Sequence, residues 1–249
     1  MSPAQCGCSM WDVRLIVDEI PIDTNFHMSK NLTNSSGNLE RDANRFRHSV
    51  VDVYTNTELP GESFFQHKSI LLNALINDLS LNPDYQTDTQ PVCQYLEECL
   101  KSPEVAFPEL TGAIAGLSGR LHWQINQNYV GVFDDHFFQN EAFAEIIGPT
   151  GLLLAPGIRV GLLLLGKAMH YPSHAHEATE LYHVVSGTGL WRQGKAGFSE
   201  APPGKALYHD VWEPHEMKTV GLPVLALFSW AGAISMTISY SQLEAVPIS

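Results

Sequence analysis

From Gly148-Pro149 onward the chain breaks into short apolar runs, one roughly every 8–12 residues, broken by glycine and proline. They read RVGLLLLG (159–166), ELYHVVSG (180–187), GLWRQ (189–193), KALYH (205–209) and PVLALFSW (223–230). None is long enough for a helix that could hold itself on a core, whereas each matches the length of one strand. Many short strands with turn chemistry between them specify a sandwich or barrel that closes its own edges. The spacing therefore predicts a β-barrel over 146–249.

The preceding residues have a different texture. Leu71, Leu72, Leu75, Ile76 and Leu79 recur at three- and four-residue spacing after Glu62, and Asn82-Pro83 closes that helix. Val92, Tyr95, Leu96, Cys99 and Leu100 form the stripe of a second helix, with Pro91 near its start. A third helical stretch is expected from Glu109 to about Asn126. These stripes read as core packing, and 61–145 as a helical region. The first 60 residues read as an irregular arm: FHMSKNLTNSSGNLERDANRF is polar and rich in turn formers. The expected class is thus mainly β, with an α-helical N-terminal part.

Charge narrows the function classes. Lysine and arginine total 14 against 27 acidic residues, a formal net charge of −13. Nucleic acid and anionic membrane surfaces need clustered positive charge, so both are excluded as partners. No stretch approaches 18 apolar residues and no basic, apolar leader opens the chain, so the expectation is a soluble cytoplasmic protein. Four cysteines are not a disulfide framework. Cys6 and Cys8 read as a terminal fragment with no second pair at ligand spacing, and Cys93 and Cys99 as packing residues. Asn31-Leu-Thr and Asn34-Ser-Ser fit the glycosylation pattern and read as chance matches.

Six of the eleven histidines fall between His170 and His215. Residues two apart on a strand face the same side, so His174 and His176 present both imidazoles together, and Glu180 and Tyr182 continue that parity. His-x-His-x3-Glu-x6-Gly, ending at Gly187, is the first metal-binding motif of the cupin fold, a double-stranded β-helix or jelly roll. A looser second motif follows in Gly197, Pro202-Pro203-Gly204 and a downstream histidine, for which His209 and His215 compete. Imidazoles with a carboxylate suit one divalent transition metal ion, Zn, Fe, Mn, Co or Ni.

The match extends further. Tyr171-Pro172-x-His174-x-His176-x-Ala178-x-Glu180-x-Tyr182, Trp191, Pro203-Gly204, the segment His215-Glu-Met-Lys-Thr219 and Pro223 through Gly232 resemble the cupin-type dimethylsulfoniopropionate (DMSP) lyases, as do Ile146-Ile-Gly148-Pro149 and Gly161 upstream. The chain departs from the family pattern at Ala175, where a third histidine is common, and at Glu177-Ala-Thr-Glu180, where Pro-Ala-Glu-Glu is common. The resemblance implies that His174, His176, Glu180 and His215 bind the metal. It further implies that Tyr182 is the base and that Tyr171 lines the pocket and assists. The implied substrate is a small zwitterionic sulfonium compound, cleaved by β-elimination to acrylate and dimethyl sulfide. Tyr171, Trp191, Tyr208 and Trp212 are candidates for the wall around the sulfonium, because aromatic faces attract cations. The resemblance leaves room for a homodimer.

Two other readings share the ligand set. A cupin dioxygenase or isomerase differs by oxygen consumption or by substrate, and the tyrosines two residues after Glu180 and three before His174 favour the lyase. A non-catalytic small-molecule-binding cupin predicts a degraded ligand set, whereas all four candidate ligands are present.

Overall fold

The computed structural model describes residues 35–235 and 238–240. Cys6, Cys8, Asn31 and Asn34, singled out above, lie outside the described residues. The first described element corrects the sequence reading. Within the stretch expected to be irregular, Ser35–Thr55 is a 21-residue helix, α1. Its buried apolar residues, Ala43, Phe46, Val50, Val53 and Tyr54, keep helical spacing. The polar face dominates the composition, and one small residue opens the stripe, which hid the period.

Helix α2 covers Glu62–Leu75 and buries Phe64, His67, Leu71 and Leu75. It ends well before Asn82-Pro83. Arg47 from α1 caps it, donating from Nη1 to the carbonyls of Leu75 (2.6 Å) and Asn77 (2.9 Å), so carbonyls with no partner inside the helix are satisfied by a cation. Residues 80–82 are instead extended. Asn82 N–H donates to the Leu152 carbonyl and Leu154 N–H to the Ser80 carbonyl, both at 2.9 Å. The second stripe is a 3-10 turn, Pro91–Tyr95, running into a short helix α3, Leu96–Leu100. Cys99 packs in the core there. The third is α4, Pro108–Leu117, followed by a 3-10 turn at Ser118–Arg120. From Leu121 the backbone is extended rather than helical to Asn126, with Gln124 bridged to Phe143. Another 3-10 turn at Gln127–Tyr129 and the short helix α5, Asp135–Asn140, lead into the sheets.

Eleven strands follow among the described residues: β1 Glu141–Gly148, β2 Leu153–Leu154, β3 Ile158–Leu165, β4 His170–His176, β5 Thr179–Ser186, β6 Gly189–Gln193, β7 Ser199–Ala201, β8 Ala206–His209, β9 His215–Lys218, β10 Val224–Ala231 and β11 Ile238–Tyr240. The β part thus starts five residues before the expected Ile146. Ala142 and Ala144, small and poor in β-propensity, had disguised that strand. The strands form two sheets, in the orders β2-β1-β3-β10-β5-β8 and β11-β4-β9-β6-β7, antiparallel except for β1 with β2. This is the jelly-roll arrangement of a cupin.

The six-stranded sheet is buried on both faces, which is why its strands read as unbroken apolar runs. Ala142, Ala144, Leu162, Leu164, Leu225 and Leu227 share a core with the helices. Leu163, Leu165, Tyr182, Ala226, Phe228 and Trp230 alternate with them and face the interior between the sheets. The helices and strands described belong to one compact unit, so the helical region is a layer on the sheet and not a separate body. Gly161 has a packing reason to be glycine: a Cβ there would lie 2.1 Å from the Ala144 carbonyl oxygen and 2.9 Å from a ring carbon of Phe228. No described helix is long and apolar enough to cross a membrane.

Candidate metal centre and adjoining pocket

Strand register gathers the motif residues. His174 on β4 is paired across the sheet with His215 on β9, and Glu180 on β5 lies opposite Trp230 on β10 and His209 on β8. A register shift between Tyr171 and His174 adds a residue to β4. Two residues three apart, which a regular strand would send to opposite faces, therefore both line the interior pocket. The ligand atoms of His174, His176 and His215 lie within 4.8 Å of one another, and all three residues are buried. Glu180 joins two of them: its Oε2 is 2.9 Å from His176 Nε2 and 3.1 Å from His215 Nε2. Its Oε1 accepts a 2.6 Å hydrogen bond from the Trp230 indole N–H.

The protonation pattern fixes what this cluster can hold. His174 Nδ1 faces the Pro172 carbonyl at 3.0 Å, His176 Nδ1 the Ala178 carbonyl at 2.9 Å, and His215 Nδ1 the Glu213 carbonyl at 3.0 Å. A ring nitrogen against a carbonyl has to donate, so in each neutral imidazole the proton sits on Nδ1 and Nε2 is a lone pair. Three lone pairs and a carboxylate oxygen then converge with no donor among them, and His215 Nε2 has no hydrogen-bond partner. Acceptors packed this closely repel unless a cation lies between them. Ligands about 2.1 Å from a tetrahedral ion stand roughly 3.4 Å apart, near the 2.9 and 3.1 Å between Glu180 Oε2 and the two imidazoles. Backbone carbonyls orienting metal-bound imidazoles through Nδ1 are the usual outer shell of such sites. The residues present therefore fit a divalent metal ion.

Electrostatics agree. Burial, then the neighbouring His215 and His176, hold His174 well below the usual imidazole range, so it is neutral and able to ligate. Burial works to raise the Glu180 carboxyl, but positive charge on the side of His176 and His215, carried by those rings when protonated or by an ion between them, brings it well below the usual carboxylate range. His209, the rival of His215, stands outside the three-histidine group. It is fully buried and stacks on His215 with ring centres 4.1 Å apart. The other two histidines of the segment are occupied elsewhere: His170 faces Glu216 at 2.6 Å, and His183, on the opposite face of β5, faces Thr57 at 2.8 Å.

A small cavity adjoins the cluster, bounded by His174, Glu180, Tyr171, Tyr182, Phe228 and Trp230. Tyr182 is buried beside the Glu180 carboxylate. Burial first, then that carboxylate, push its phenol well above the ordinary value. Tyr171 is also pushed well above it, by burial and by the facing Tyr129, whose hydroxyl is 2.5 Å from its own. The residues alone thus oppose a phenolate at either position. Trp191 is buried against Tyr182, with ring centres 5.9 Å apart, but is not among the cavity residues.

Tyr208 and Trp212 are not brought to the cavity. Tyr208 has the parity opposite to His209 on β8 and packs on α2 against Phe64 and His67, with its hydroxyl 2.6 Å from that of Ser63. Trp212 sits in a turn at φ 56° and is 44% exposed. The aromatic wall consists instead of Phe143, Phe228 and Trp230. Strand β1 adds residues that sequence reasoning missed: Glu141, Phe143 and Glu145 all face the cavity. The alternation Glu-Ala-Phe-Ala-Glu was the available signal, a strand period placing both acids on one face. Glu145 is paired with Arg159 of β3 and accepts from Thr150.

Comparison with known proteins points the same way as the motifs. Residues 66–226, more than half the chain, match the family model described as dimethylsulfoniopropionate lyase. The chain is 26% identical over 172 residues to the Cereibacter sphaeroides protein named "Putative dimethylsulfoniopropionate lyase DddL", covering 67% of this chain and 72% of that one. It is 25% identical over 154 residues to the dimethylsulfoniopropionate lyase DddQ of Ruegeria pomeroyi, covering 61% and 76%. The solved structure of that DddQ superposes with a TM-score of 0.62 at 17% identity over 79% of this chain and 96% of the other. A chain from the solved DMSP lyases RdDddP and RnDddQII superposes with a TM-score of 0.65 at 24% identity, over 82% of this chain and all of that one.

Proposed function

The chain belongs to the dimethylsulfoniopropionate lyase family, and from that premise we propose that it is a metal-dependent carbon–sulfur lyase that cleaves DMSP to acrylate and dimethyl sulfide, with Tyr182 as the base. The observation that carries the metal dependence is the convergence of three Nε2 lone pairs and the Glu180 carboxylate with every Nδ1 committed to a carbonyl. A divalent ion held by His174, His176, His215 and Glu180 would supply Lewis acidity toward the substrate carboxylate and positive charge favouring a nearby phenolate.

The reaction is a β-elimination. Tyr182 takes the proton from the carbon next to the carboxylate, the C–H electron pair becomes the new C=C bond, and the C–S pair leaves with sulfur. Dimethyl sulfide departs neutral, so no general acid is needed. Tyr182 lines the same cavity as His174 and Glu180, which supports its placement beside the reacting carbon. Tyr171, held through its hydroxyl by Tyr129, positions the substrate on the adjoining wall. Phe143, Phe228 and Trp230 keep bulk water from the elimination and offer aromatic faces to the sulfonium.

The deciding experiment is a gas-phase assay of dimethyl sulfide from DMSP with metal-replete protein, chelated protein and Tyr182→Phe. Release by the first alone supports the reading. No release by metal-replete protein overturns it.

A further inference from the structure

The cavity contains an acidic side chain that the elimination scheme leaves unused. Glu141, on β1, lines it and is 1% exposed, and its Oε2 has no hydrogen-bond partner. The other two carboxylates of the cavity are matched. Glu145 holds Arg159 and both donors of Thr150. Glu180 faces His176 and His215 and accepts from Trp230. Arg159 is itself committed, to Glu145 and to the Ile234 carbonyl at 3.0 Å. A buried carboxylate oxygen without a partner costs several kcal/mol unless something else satisfies it. The groups whose fields meet Glu141 are the phenols of Tyr171 and Tyr182, which it pushes upward and which bring no positive charge.

A zwitterionic substrate supplies the missing partner. On the reading above, its carboxylate goes to the histidine cluster, so its cationic end has to rest elsewhere on the same small cavity wall. Aromatic faces attract a cation weakly, whereas a desolvated carboxylate attracts it far more strongly. We propose that Glu141 gives up its proton to solvent when the cation binds and becomes the counter-charge for the sulfonium: a substrate-positioning residue that makes the site select cationic sulfonium carboxylates over neutral thioether carboxylates of the same length. The inference rests on the lyase reading for the identity of the cation, but its test is separable from that reading.

Two inhibitors separate charge from shape: 3-(trimethylammonio)propanoate, cationic and without the sulfide leaving group, and 3-(methylthio)propanoate, neutral at sulfur. Their inhibition constants against DMSP cleavage, and their direct binding by calorimetry, are measured on metal-replete wild-type protein, Glu141→Gln and Glu141→Asp. The expected result is that Glu141→Gln weakens the ammonium compound at least tenfold and raises KM for DMSP comparably. The thioether should stay within twofold, and Glu141→Asp should restore most of the cation preference. Equal weakening of both compounds, or of neither, overturns the proposal, and so does a loss of kcat with KM and cation binding unchanged. Failure of the wild-type protein to release dimethyl sulfide would refute the lyase reading instead, while the calorimetric ratio of the two compounds would still judge Glu141.

Discussion

A carboxylate buried without a partner should be visible in stability before any substrate is added. Burial pushes Glu141 up to about 8 from the usual 4.5. The titratable groups that share its cavity are the phenols of Tyr171 and Tyr182, both held well above the ordinary value, the Glu145–Arg159 ion pair, and His174 and Glu180 of the histidine cluster. The sign follows from linkage. The folded-state pKa is raised, so the unfolded chain releases this proton first. The contribution of Glu141 is most favourable below about pH 4.5 and is lost as pH rises toward about 8. Between those limits the slope is about 1.4 kcal/mol per pH unit, so from pH 5 to pH 7 the folded state loses about 3 kcal/mol through this group alone.

Glu141→Gln keeps the shape and removes the titration. Urea denaturation of metal-replete wild type and Glu141→Gln at pH 5, 6 and 7 gives the difference between the two at each pH, in which the metal and all shared titrations cancel. That difference should move in favour of the variant by about 3 kcal/mol over the two units, a midpoint shift on the order of 1 M urea. A difference that stays flat within about 0.5 kcal/mol would mean that Glu141 is hydrated and titrates normally. The desolvated carboxylate on which the counter-charge argument depends would then not exist.

Other perturbations test the remaining parts. Tyr182→Phe should retain metal by elemental analysis and lose at least about 100-fold in kcat for dimethyl sulfide release, the range of a lost general base. His215→Ala should lose both metal and activity, whereas loss of activity with full metal occupancy would remove His215 from the ligand set. Chelation should lower the thermal midpoint as well as abolish turnover, since a ligand bound only to the folded state at 1,000 times its Kd contributes about 4 kcal/mol. Gly161→Ala should destabilise by about 1–3 kcal/mol through the clash with the Ala144 carbonyl and Phe228, lowering the thermal midpoint by roughly 3–10 °C. Trp212→Ala, outside the cavity, should leave KM for DMSP within twofold.

The cluster of three histidines and Glu180 was legible because its parts are local. His174, His176 and Glu180 sit on two consecutive strands, where the period of two and one short turn determine which side each faces. His215 could be chosen over His209 only by resemblance, since spacing alone cannot say which residue of β9 falls opposite His174. That is a matter of register, and the structure supplies it. The same limit explains the misplaced aromatics. Tyr208 and Trp212 were chosen for ring chemistry near the motif, yet one lies on the outer parity of β8 and the other in an exposed turn. The helices failed at their ends rather than their existence, apart from α1, whose long polar face masked a stripe of five buried residues.

Glu141 shows why the pocket's charge could not be read in the same way. A motif records residues whose role depends on their spacing from one another along the chain. Glu141 reaches the cavity through the pairing of β1 with β3, where it stands opposite Leu165, and through the pairing of β3 with β10 and β10 with β5. Three strand registers thus separate it from Tyr182, and none of them leaves a fixed interval in the sequence. Any strand on that sheet could carry an acid at the inward parity without a motif around it. On the counter-charge reading, substrate charge selection in such a jelly roll changes by one substitution on β1 while the histidine motif stays intact: the motif bears on the type of chemistry, and the inward residues of β1 on which cation the site accepts.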